Sequence, residues 1–438
     1  MSAIDKTKTQ LLLQGSILLL LSFPILPFAV RSIAMGVWVF AAILYLILNR
    51  KEIKFEKKKI PQLIIITLPF LLLAFSLLYT ENQKRGGDLI VRILPLILCP
   101  VLFYLCRNLL TERLLKIGKT IFVLATFSIV AYSFIQTFNH FDYLNRPFSD
   151  IEYQYNGLTP ETITKEKEAE IKYRRFKVFI EETSGTHSTY LGIYILFSLF
   201  LIGEFLFDKK QKIGLKILAT ILGISMFAWL AYISVRAPLL AFLASALFVL
   251  ILKVRKPKFI LGTMVSALLI GFLLYQIVPN LQLRVNEVIE NKLSIPESGN
   301  DPLLFNSTNV RLGSLYCSTE VFKSNWLLGV GAGDVQDKLD QCYDEKIGAI
   351  IYTWDTYNNH NQYLFFATAT GIIGLLSFIG MMIYLIVLSV KRNHGTAIFF
   401  LSSSAILFLT ENVLVRSDGI MYFAVIGYFL LFFKSEKK

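Results

Sequence analysis

The feature that most constrains this chain is a series of apolar blocks, of which Leu89 to Cys106 is an example. Each block is close to the length of a helix that crosses a bilayer, about 20 residues. Hydrophobic residues make up 55% of the 438 residues and charged residues only 17%, whereas soluble proteins carry about 25% charged residues. Because lipid offers no hydrogen-bond partners, each block must pair its own backbone groups, as an α-helix does. We therefore predict an all-α polytopic membrane protein in which residues 1–438 form a single transmembrane domain.

The blocks predict about twelve transmembrane helices. The first block follows Lys6 and Lys8 and superficially resembles a signal peptide. It lacks a small-residue cleavage site, so we predict an uncleaved helix. The twelve predicted helices are Leu11 to Val30, Ile33 to Leu48, Leu63 to Tyr79, Leu89 to Cys106, Thr120 to Phe138, Thr189 to Phe207, Ile213 to Ile233, Ala237 to Leu252, Phe259 to Val278, Gln362 to Val390, Ala397 to Leu414 and Ile420 to Phe433.

The distribution of Lys and Arg predicts the orientation of these helices. When both termini are placed in the cytoplasm, the basic clusters all fall in segments that face the cytoplasm, as the positive-inside rule requires. The formal net charge of +13 therefore indicates topology and not nucleic-acid binding. The clusters are Arg50 to Lys59, Arg107 to Lys119, Lys209 to Lys216, Lys253 to Lys258, Lys391 with Arg392, and the tail from Lys434.

Two predicted outside loops, residues 139–187 and 279–360, are too long to be simple connections. The first is rich in charged residues, with a predicted helix through Thr162 to Phe179. The second is a large loop before the tenth helix, where we expect part of the chemistry. Cys317 and Cys342 share it. An oxidising periplasm permits a disulfide there, but the sequence leaves the pairing open.

Two arginines stand out at the predicted outer face, where charge marks function by default. Arg236 lies in the turn between the seventh and eighth predicted helices. It either extends to the lipid headgroups or binds a phosphate or diphosphate through its planar guanidinium. Arg311 precedes the glycine-rich stretch Trp326-Leu-Leu-Gly-Val-Gly-Ala-Gly-Asp334. Those glycines allow either a plain turn or a close backbone approach to an anionic group.

Two histidines lie at the same predicted depth. His360 precedes the tenth helix among polar residues. It suits proton transfer because its unperturbed pKa lies near neutral, although a helix-capping or interfacial role fits the same position. His187 enters the sixth helix and is either a site residue or an interfacial anchor. Further along the tenth helix, Ala367 and Gly371 form a small-xxx-small pair that predicts a close helix contact.

The sequence contains neither a metal-binding set nor a P-loop. We find no His-x-x-x-His pair, no Asp-x-Asp on the predicted outer face and no zinc-like cysteine spacing. We therefore predict a protein without a metal or other cofactor, in which any energy for chemistry arrives with the substrate.

These motifs together resemble the O-antigen ligase and O-antigen polymerase superfamily. Three features, in this order, carry the resemblance: Arg236 after a serine-containing hairpin, Arg311 ahead of the Trp-x-x-Gly-x-Gly-x-Gly stretch, and His360-Asn-x-Tyr-Leu followed by Gly-x-x-Gly. The resemblance covers most of the chain. It implies a GT-C-like membrane fold of about twelve helices with one large periplasmic loop before the histidine helix.

The resemblance also implies an inverting, metal-independent glycosyltransferase. Its donor would be a glycan on undecaprenyl diphosphate, and its localisation the bacterial inner membrane with the active site facing the periplasm. A ligase passes the glycan to a sugar hydroxyl of lipid A–core, whereas a polymerase passes it to another lipid-linked repeat unit. The implied partners are the donor, the glycan acceptor and the bilayer, with no nucleic acid.

Carried onto this chain, the resemblance makes His360 the residue that deprotonates or orients the acceptor hydroxyl. Arg236 and Arg311 would bind the diphosphate. Arg92 and Arg416 either complete this basic pocket or pair with local acids such as Asp88 and Glu411. Residues expected in an acceptor or donor site are His187, Asn361 and Tyr363.

Two departures from the family pattern concern the acceptor. Many ligases have a Pro-Asn pair where this chain has Thr186-His187-Ser188, and the loop 139–187 is longer than expected. A lipid-linked glycan flippase or other transporter is the alternative from another class. It would place ionisable residues near the bilayer midplane, whereas here the notable residues gather at the outer face. This asymmetry favours an enzyme that acts on one side of the membrane.

Overall fold

The computed structural model describes residues 3–50, 53, 56–155, 159–161, 163–254, 257–277, 282, 286, 293–297 and 307–433. Over these residues the protein is helical and contains no β-strand. Its α-helices are α1 (Ala3–Leu21), α2 (Phe28–Leu48), α3 (Ile60–Phe75), α4 (Gln83–Leu105), α5 (Glu112–Asn139), α6 (Phe141–Leu144), α7 (Asp150–Tyr155), α8 (Lys165–Ser184), α9 (Ser188–Phe207), α10 (Ile213–Ile233), α11 (Arg236–Val254), α12 (Pro257–Ile277), α13 (Ser307–Ser324), α14 (Val335–Cys342), α15 (Ile351–Trp354), α16 (Gln362–Lys391), α17 (Gly395–Leu407) and α18 (Ser417–Phe432).

Nine helices in the described residues are long and apolar enough to cross a membrane. They confirm a multi-pass helical membrane protein, whereas the count of twelve and the position of the termini stay predictions. Two further apolar helices, α17 and α18, are shorter. Helix α9 is the most central of the nine, because 61% of its apolar window is buried, compared with 17% for α10 and for α11.

The predicted bounds of the first helix, Leu11 to Val30, are wrong. Helix α1 begins at Ala3 and ends at Leu21, and α2 begins directly after Pro27. Pro24 and Pro27 interrupt the apolar block. A proline has no amide hydrogen and its ring clashes with the preceding helical turn. The apolar stretch is therefore divided between the end of α1 and the start of α2.

The predicted eleventh helix, Ala397 to Leu414, is also too long. Helix α17 ends at Leu407, and α18 begins at Ser417. Residues 408–416 instead form turns that bond to the start of α16. We name residues 408–416 the α17–α18 connection.

Helix α16 is broken in its middle, where Thr370 has φ −132° and Gly371 has φ +65°. A Cβ atom at Gly371 would lie 2.2 Å from the Leu327 carbonyl oxygen, so the loop that carries Leu327 packs directly on this glycine. Ala367 and Gly371 were predicted to form a helix–helix contact. At Gly371 that interpretation is wrong, because the contacting backbone belongs to a loop.

The glycine-rich stretch forms this loop, and its backbone amides donate hydrogen bonds to neighbouring segments. The Val330 amide donates to Thr368 O (2.9 Å), and the Gly331 amide donates to Ala369 O (3.0 Å). On the other side the Gly333 amide donates to Thr80 Oγ1 (3.1 Å). Of the two readings left open by the sequence, the structure shows a packed turn: these amides bind protein atoms.

A disulfide joins Cys317 of α13 to Cys342 of α14, with a Cα–Cα distance of 5.7 Å. The pairing that the sequence left open is therefore formed. Its consequence is local, since it fixes α13, the helix that carries Arg311, to the helix after the glycine-rich loop.

The charged helix predicted at Thr162 to Phe179 is present as α8, Lys165–Ser184; Thr162 lies outside the described residues. Tyr173, Phe176 and Ile180 form its buried face. The Tyr173 hydroxyl donates to Ile233 O (2.8 Å) at the end of α10. Helix α8 therefore packs on the same end of the helix assembly where α11 begins.

Candidate active site

The start of α16 is joined to the α17–α18 connection by four hydrogen bonds, three donated by backbone amides and one by the Asn361 side chain. The Gln362 amide donates to Phe408 O (2.8 Å), and the Leu414 amide donates to the Gln362 Oε1 atom (2.7 Å). The Asn361 amide donates to Asn412 Oδ1 (3.0 Å). These bonds end α17 early and place Asn361 and Gln362, the two residues after His360, against the segment that contains Glu411.

The side chain of Asn361 begins α16. Its Oδ1 accepts from the Leu364 amide (3.0 Å), which is the bond of a helix N-cap, and its Nδ2 donates to Leu409 O (3.1 Å). The preceding residue, His360, has a positive φ of 45°. A non-glycine residue rarely adopts this conformation, and it persists only where the surrounding structure enforces it. The surrounding structure therefore fixes the backbone that carries the imidazole.

Glu411 is the acid at the centre of this junction. Its Oε2 atom lies 3.7 Å from Nδ1 of His360 and 3.8 Å from Nη2 of Arg311. The Glu411 side chain is 7% exposed, whereas the Arg311 side chain is 44% exposed. A buried carboxylate thus faces an imidazole and a guanidinium whose outer sides remain open to solvent. Both distances exceed a direct hydrogen bond.

The electrostatics of Glu411 follow from these neighbours. Burial raises the pKa of its carboxyl, but His360, Arg311 and Arg416 together lower that pKa to about 2. An opposite charge nearby favours the ionised form. Glu411 is therefore ionised at neutral pH and supplies a fixed negative charge beside His360.

Buried polar contacts fix α13, and thereby Arg311, to this site. The Asn359 Nδ2 atom donates to Ser318 Oγ on α13 (2.9 Å) and to Thr368 Oγ1 on α16 (3.3 Å). The Tyr352 hydroxyl donates to Val310 O (2.8 Å), one residue before Arg311.

Arg92 and Arg416 lie next to each other at the edge of the site. Arg92 Nη1 donates to Val415 O (3.2 Å), the residue before Arg416. Both side chains are exposed. The sequence left open whether they pair with acids. The described hydrogen bond of Arg92 goes to a carbonyl and not to Asp88, and Arg416 acts on Glu411 through its charge.

His187 caps α9 at the corner after α8. Its Nδ1 accepts from the Thr189 amide (3.3 Å), and its Nε2 lies 3.5 Å from Glu181 Oε1. Burial lowers the pKa of His187 to about 4; Glu181 opposes this change, and Lys177 and Arg416 add to it. The imidazole is thus neutral at pH 7. His187 therefore caps α9 and also lies close enough to Arg416 for the charge of Arg416 to affect its pKa.

Arg236 is the first residue of α11 and is half-buried. The preceding Val235 packs on α9, where a Cβ at Gly192 would lie 2.5 Å from Val235 Cγ2. Gly192 is one turn into the helix that His187 caps. Arg236 therefore enters from the same end of α9, while its part in the Glu411 group stays a prediction.

Tyr363 points away from this group. Its hydroxyl donates to Ala405 O on α17 (2.9 Å), and its ring packs 5.4 Å from the Phe378 ring. These contacts give Tyr363 a packing role between α16 and α17. Its predicted place in an acceptor or donor site stays a prediction.

A buried ion pair beside the site was missed by sequence reasoning. Arg31 of α2 is 3% exposed and pairs with Asp418 at the start of α18. Its Nη2 also donates to Thr186 Oγ1 (2.9 Å), directly before His187. The sequence feature that could have indicated this pair is Arg31 itself, a single arginine between two apolar blocks. The pair connects α2, α18 and the α8–α9 corner on which the site depends.

The described residues contain no group of three or more His, Cys, Asp or Glu side chains arranged to hold a metal ion. What the site offers is a set of guanidiniums around a histidine and an ionised carboxylate. Such a set can bind an anionic group and accept a proton.

The fold and the site define a multi-pass helical membrane protein with a basic, histidine-containing site at one end of its helices. Residues 218–379 match the family model Wzy_C, described as O-antigen ligase. This match confirms the predicted resemblance to the O-antigen ligase superfamily. It spans Arg236, Arg311 and His360, and it ends before Glu411. No curated protein gives a significant match to the chain.

Proposed function

We propose that this protein is a glycosyltransferase that moves a glycan from undecaprenyl diphosphate to a sugar hydroxyl of lipid A–core. The reaction would take place at the periplasmic face of the bacterial inner membrane. One observation carries the proposal: the buried, ionised Glu411 has His360 and Arg311 within 4 Å of one carboxylate oxygen. A proton acceptor and an anion-binding group thereby share one site.

The arginines account for the donor. A diphosphate leaving group gains negative charge as its bond to the sugar breaks, and fixed guanidiniums stabilise that charge without a metal. Arg311 and Arg236 are assigned this role, with Arg92 and Arg416 at the edge of the site. The exposed outer side of Arg311 leaves its guanidinium available for the phosphate oxygens.

His360 accounts for the acceptor. Its Nδ1 faces Glu411, so Nε2 is the nitrogen available to the acceptor hydroxyl. The acceptor oxygen attacks the anomeric carbon from the side opposite the diphosphate. The bond from that carbon to the diphosphate oxygen breaks, and the hydroxyl proton passes to His360. This single displacement inverts the anomeric configuration. The charge of Glu411 stabilises the imidazolium that forms.

His187 and Asn361 are assigned to the acceptor or donor surroundings. Asn361 contributes indirectly to these surroundings, because its side chain fixes the start of α16 beside His360. His187 lies at the α8–α9 corner, within electrostatic reach of Glu411 and Arg416.

The test is a transfer assay with the purified full-length protein, an undecaprenyl-diphosphate glycan and EDTA. Lipid A–core, a second donor molecule and a protein serve as separate acceptors. Arg236→Ala and Arg311→Ala are compared with Arg113→Ala, an exposed arginine in a basic cluster that is predicted to face the cytoplasm. We expect transfer to lipid A–core that the first two variants lose and Arg113→Ala retains.

Other outcomes revise or overturn this proposal. Chain growth on the second donor would make the enzyme a polymerase that uses the same residues. Transfer that stops with EDTA would contradict metal independence. Absence of transfer to every acceptor, from folded protein that binds the donor, would favour the transporter alternative.

A further inference from the structure

A cavity of about 560 Å³ lies on the charged helix α8, away from the His360 group. Helix α8 forms one wall, and the end of α5 with α6 and α7 forms the other. We name it the α8 groove. Its lining residues are His140, Tyr143, Arg146, Ile151, Glu152, Ile171, Arg174, Arg175, Val178, Phe179 and Glu182.

The wall of the groove is fixed by Arg175, whose side chain is 7% exposed. Its Nε and Nη2 donate to Glu152 Oε1 at 3.0 and 2.8 Å. Its Nη1 donates to Leu144 O (2.9 Å) and Arg146 O (2.8 Å). A buried arginine with this many bonds holds α6, α7 and α8 in one arrangement. The groove is therefore formed before any ligand arrives.

The lining combines aromatic rings with charged hydrogen-bonding groups. His140 and Phe179 pack with ring centroids 5.2 Å apart, and Tyr143 is 52% exposed. Arg174 is exposed, and Glu182 lies in the same lining. A sugar ring offers an apolar C–H face to an aromatic ring, while its adjacent hydroxyls suit guanidinium and carboxylate groups. A lipid tail would cover these charged groups and remove them from water, at a cost in free energy.

The helix face that lines the groove runs along α8 toward the α8–α9 corner. Ile171, Arg174, Val178 and Glu182 recur at the three- and four-residue spacing of one helix face. Next to Glu182, Glu181 lies 3.5 Å from His187 and accepts from the Ser188 amide (3.0 Å). His187 in turn responds to the charges of Arg416 and Glu411.

We propose that the α8 groove binds the sugar chain of one of the two substrates, beyond the sugar at which transfer occurs. This inference rests on the proposed glycosyltransferase function and adds a site for the glycan itself. A sugar chain held along α8 would be guided past Glu181 and His187 toward His360. The ligand class is an oligosaccharide, which either the donor or the acceptor can supply.

The test measures binding without catalysis. Glycan released by mild acid from the host's lipid-linked precursor, free of lipid and phosphate, is titrated into the full-length protein in detergent. The sugar portion of the host's lipid A–core is titrated separately. Tyr143→Ala and Arg174→Gln are compared with Lys172→Ala, which pairs with Glu168 on α8 and lies outside the groove lining. Each variant is first shown to melt like the wild type.

We expect one of the two glycans to bind the wild type and Lys172→Ala equally, and the groove variants at least about tenfold more weakly, which is about 1.4 kcal/mol. The glycan whose binding weakens in the groove variants shows whether the groove holds the donor or the acceptor. Equal binding to all four proteins, or no binding of either glycan to a wild type that catalyses transfer, would overturn the inference. Groove-dependent binding by a wild type that transfers nothing would support the groove and reject the proposed function.

Discussion

Nδ1 of His360 lies 3.7 Å from Oε2 of Glu411, although the two residues are 51 positions apart; His360 precedes α16 and Glu411 lies in the α17–α18 connection. The proximity depends on the early end of α17 and on the bonds that join the α17–α18 connection to Asn361 and Gln362. It gives the histidine an ionised carboxylate on one side and leaves the other side for substrate.

Replacing Glu411 by Gln tests the value of that charge. The amide keeps the shape but cannot stabilise an imidazolium, so we expect kcat to fall about 100-fold. Affinity for the donor should stay near that of the wild type, since the groups proposed to bind the diphosphate are guanidiniums. Steady-state transfer kinetics would separate the two effects, with Glu345→Gln, an exposed acid of the same predicted loop, as the matched control. Lost donor affinity with normal kcat would instead assign Glu411 to positioning the arginines.

The pH dependence of stability follows from two buried histidines. Burial lowers the pKa of His187 and that of His394 from 6.5 to about 4. Between these values the unfolded chain binds protons that the folded protein does not, so stability falls as the pH decreases from 6.5 to 4. We expect the melting temperature in detergent to fall across this window, and less steeply in a His187→Asn/His394→Asn double variant. An identical slope in the two proteins would contradict this account.

Removing the disulfide should loosen the helix that carries Arg311. A Cys317→Ser/Cys342→Ser double variant loses a cross-link between residues 25 apart, which typically stabilises by about 3 kcal/mol. We expect a lower melting temperature and weaker donor binding, because Arg311 is then less well fixed. Cys106→Ala, at a buried free cysteine, controls for loss of a thiol. Unchanged donor binding in the double variant would show that Asn359 and Tyr352 alone fix α13.

The break in α16 can be tested at its glycine. Alanine at Gly371 must adopt φ +65° and would place its Cβ 2.2 Å from Leu327 O, so the glycine-rich loop must move. We expect Gly371→Ala to destabilise the protein by about 2 kcal/mol or more, detected by thermal melting. Gly380→Ala lies on the same helix with no atom within 4 Å of the added Cβ and should melt like the wild type. Equal melting of both variants would argue against the packed loop.

The sequence predicted the apolar helices well because a run of lipid-compatible residues needs no tertiary information. It predicted helix ends less well. Pro24 and Pro27 interrupt the first apolar block, and α17 stops at Leu407 because Asn361 and Gln362 bond to the segment after it. Such pairing between distant segments cannot be inferred from a single hydropathy profile.

The same reason explains which site residues were recognised. Arg311 and His360 stand out as polar residues at the predicted membrane surface, and the structure brings both to Glu411. Glu411 itself fell inside a predicted helix and was considered only as a partner for Arg416. Arg31 and Asp418 were not recognised as a pair, because 387 positions separate them.

The most direct test of the central claim compares donor binding with glycan transfer in wild type and His360→Ala. We predict that the variant binds the undecaprenyl-diphosphate glycan with nearly unchanged affinity, since the arginines remain, while transfer to acceptor falls at least about 100-fold. Transfer at the wild-type rate by a folded His360→Ala protein would contradict the placement of the active site at His360 and Glu411.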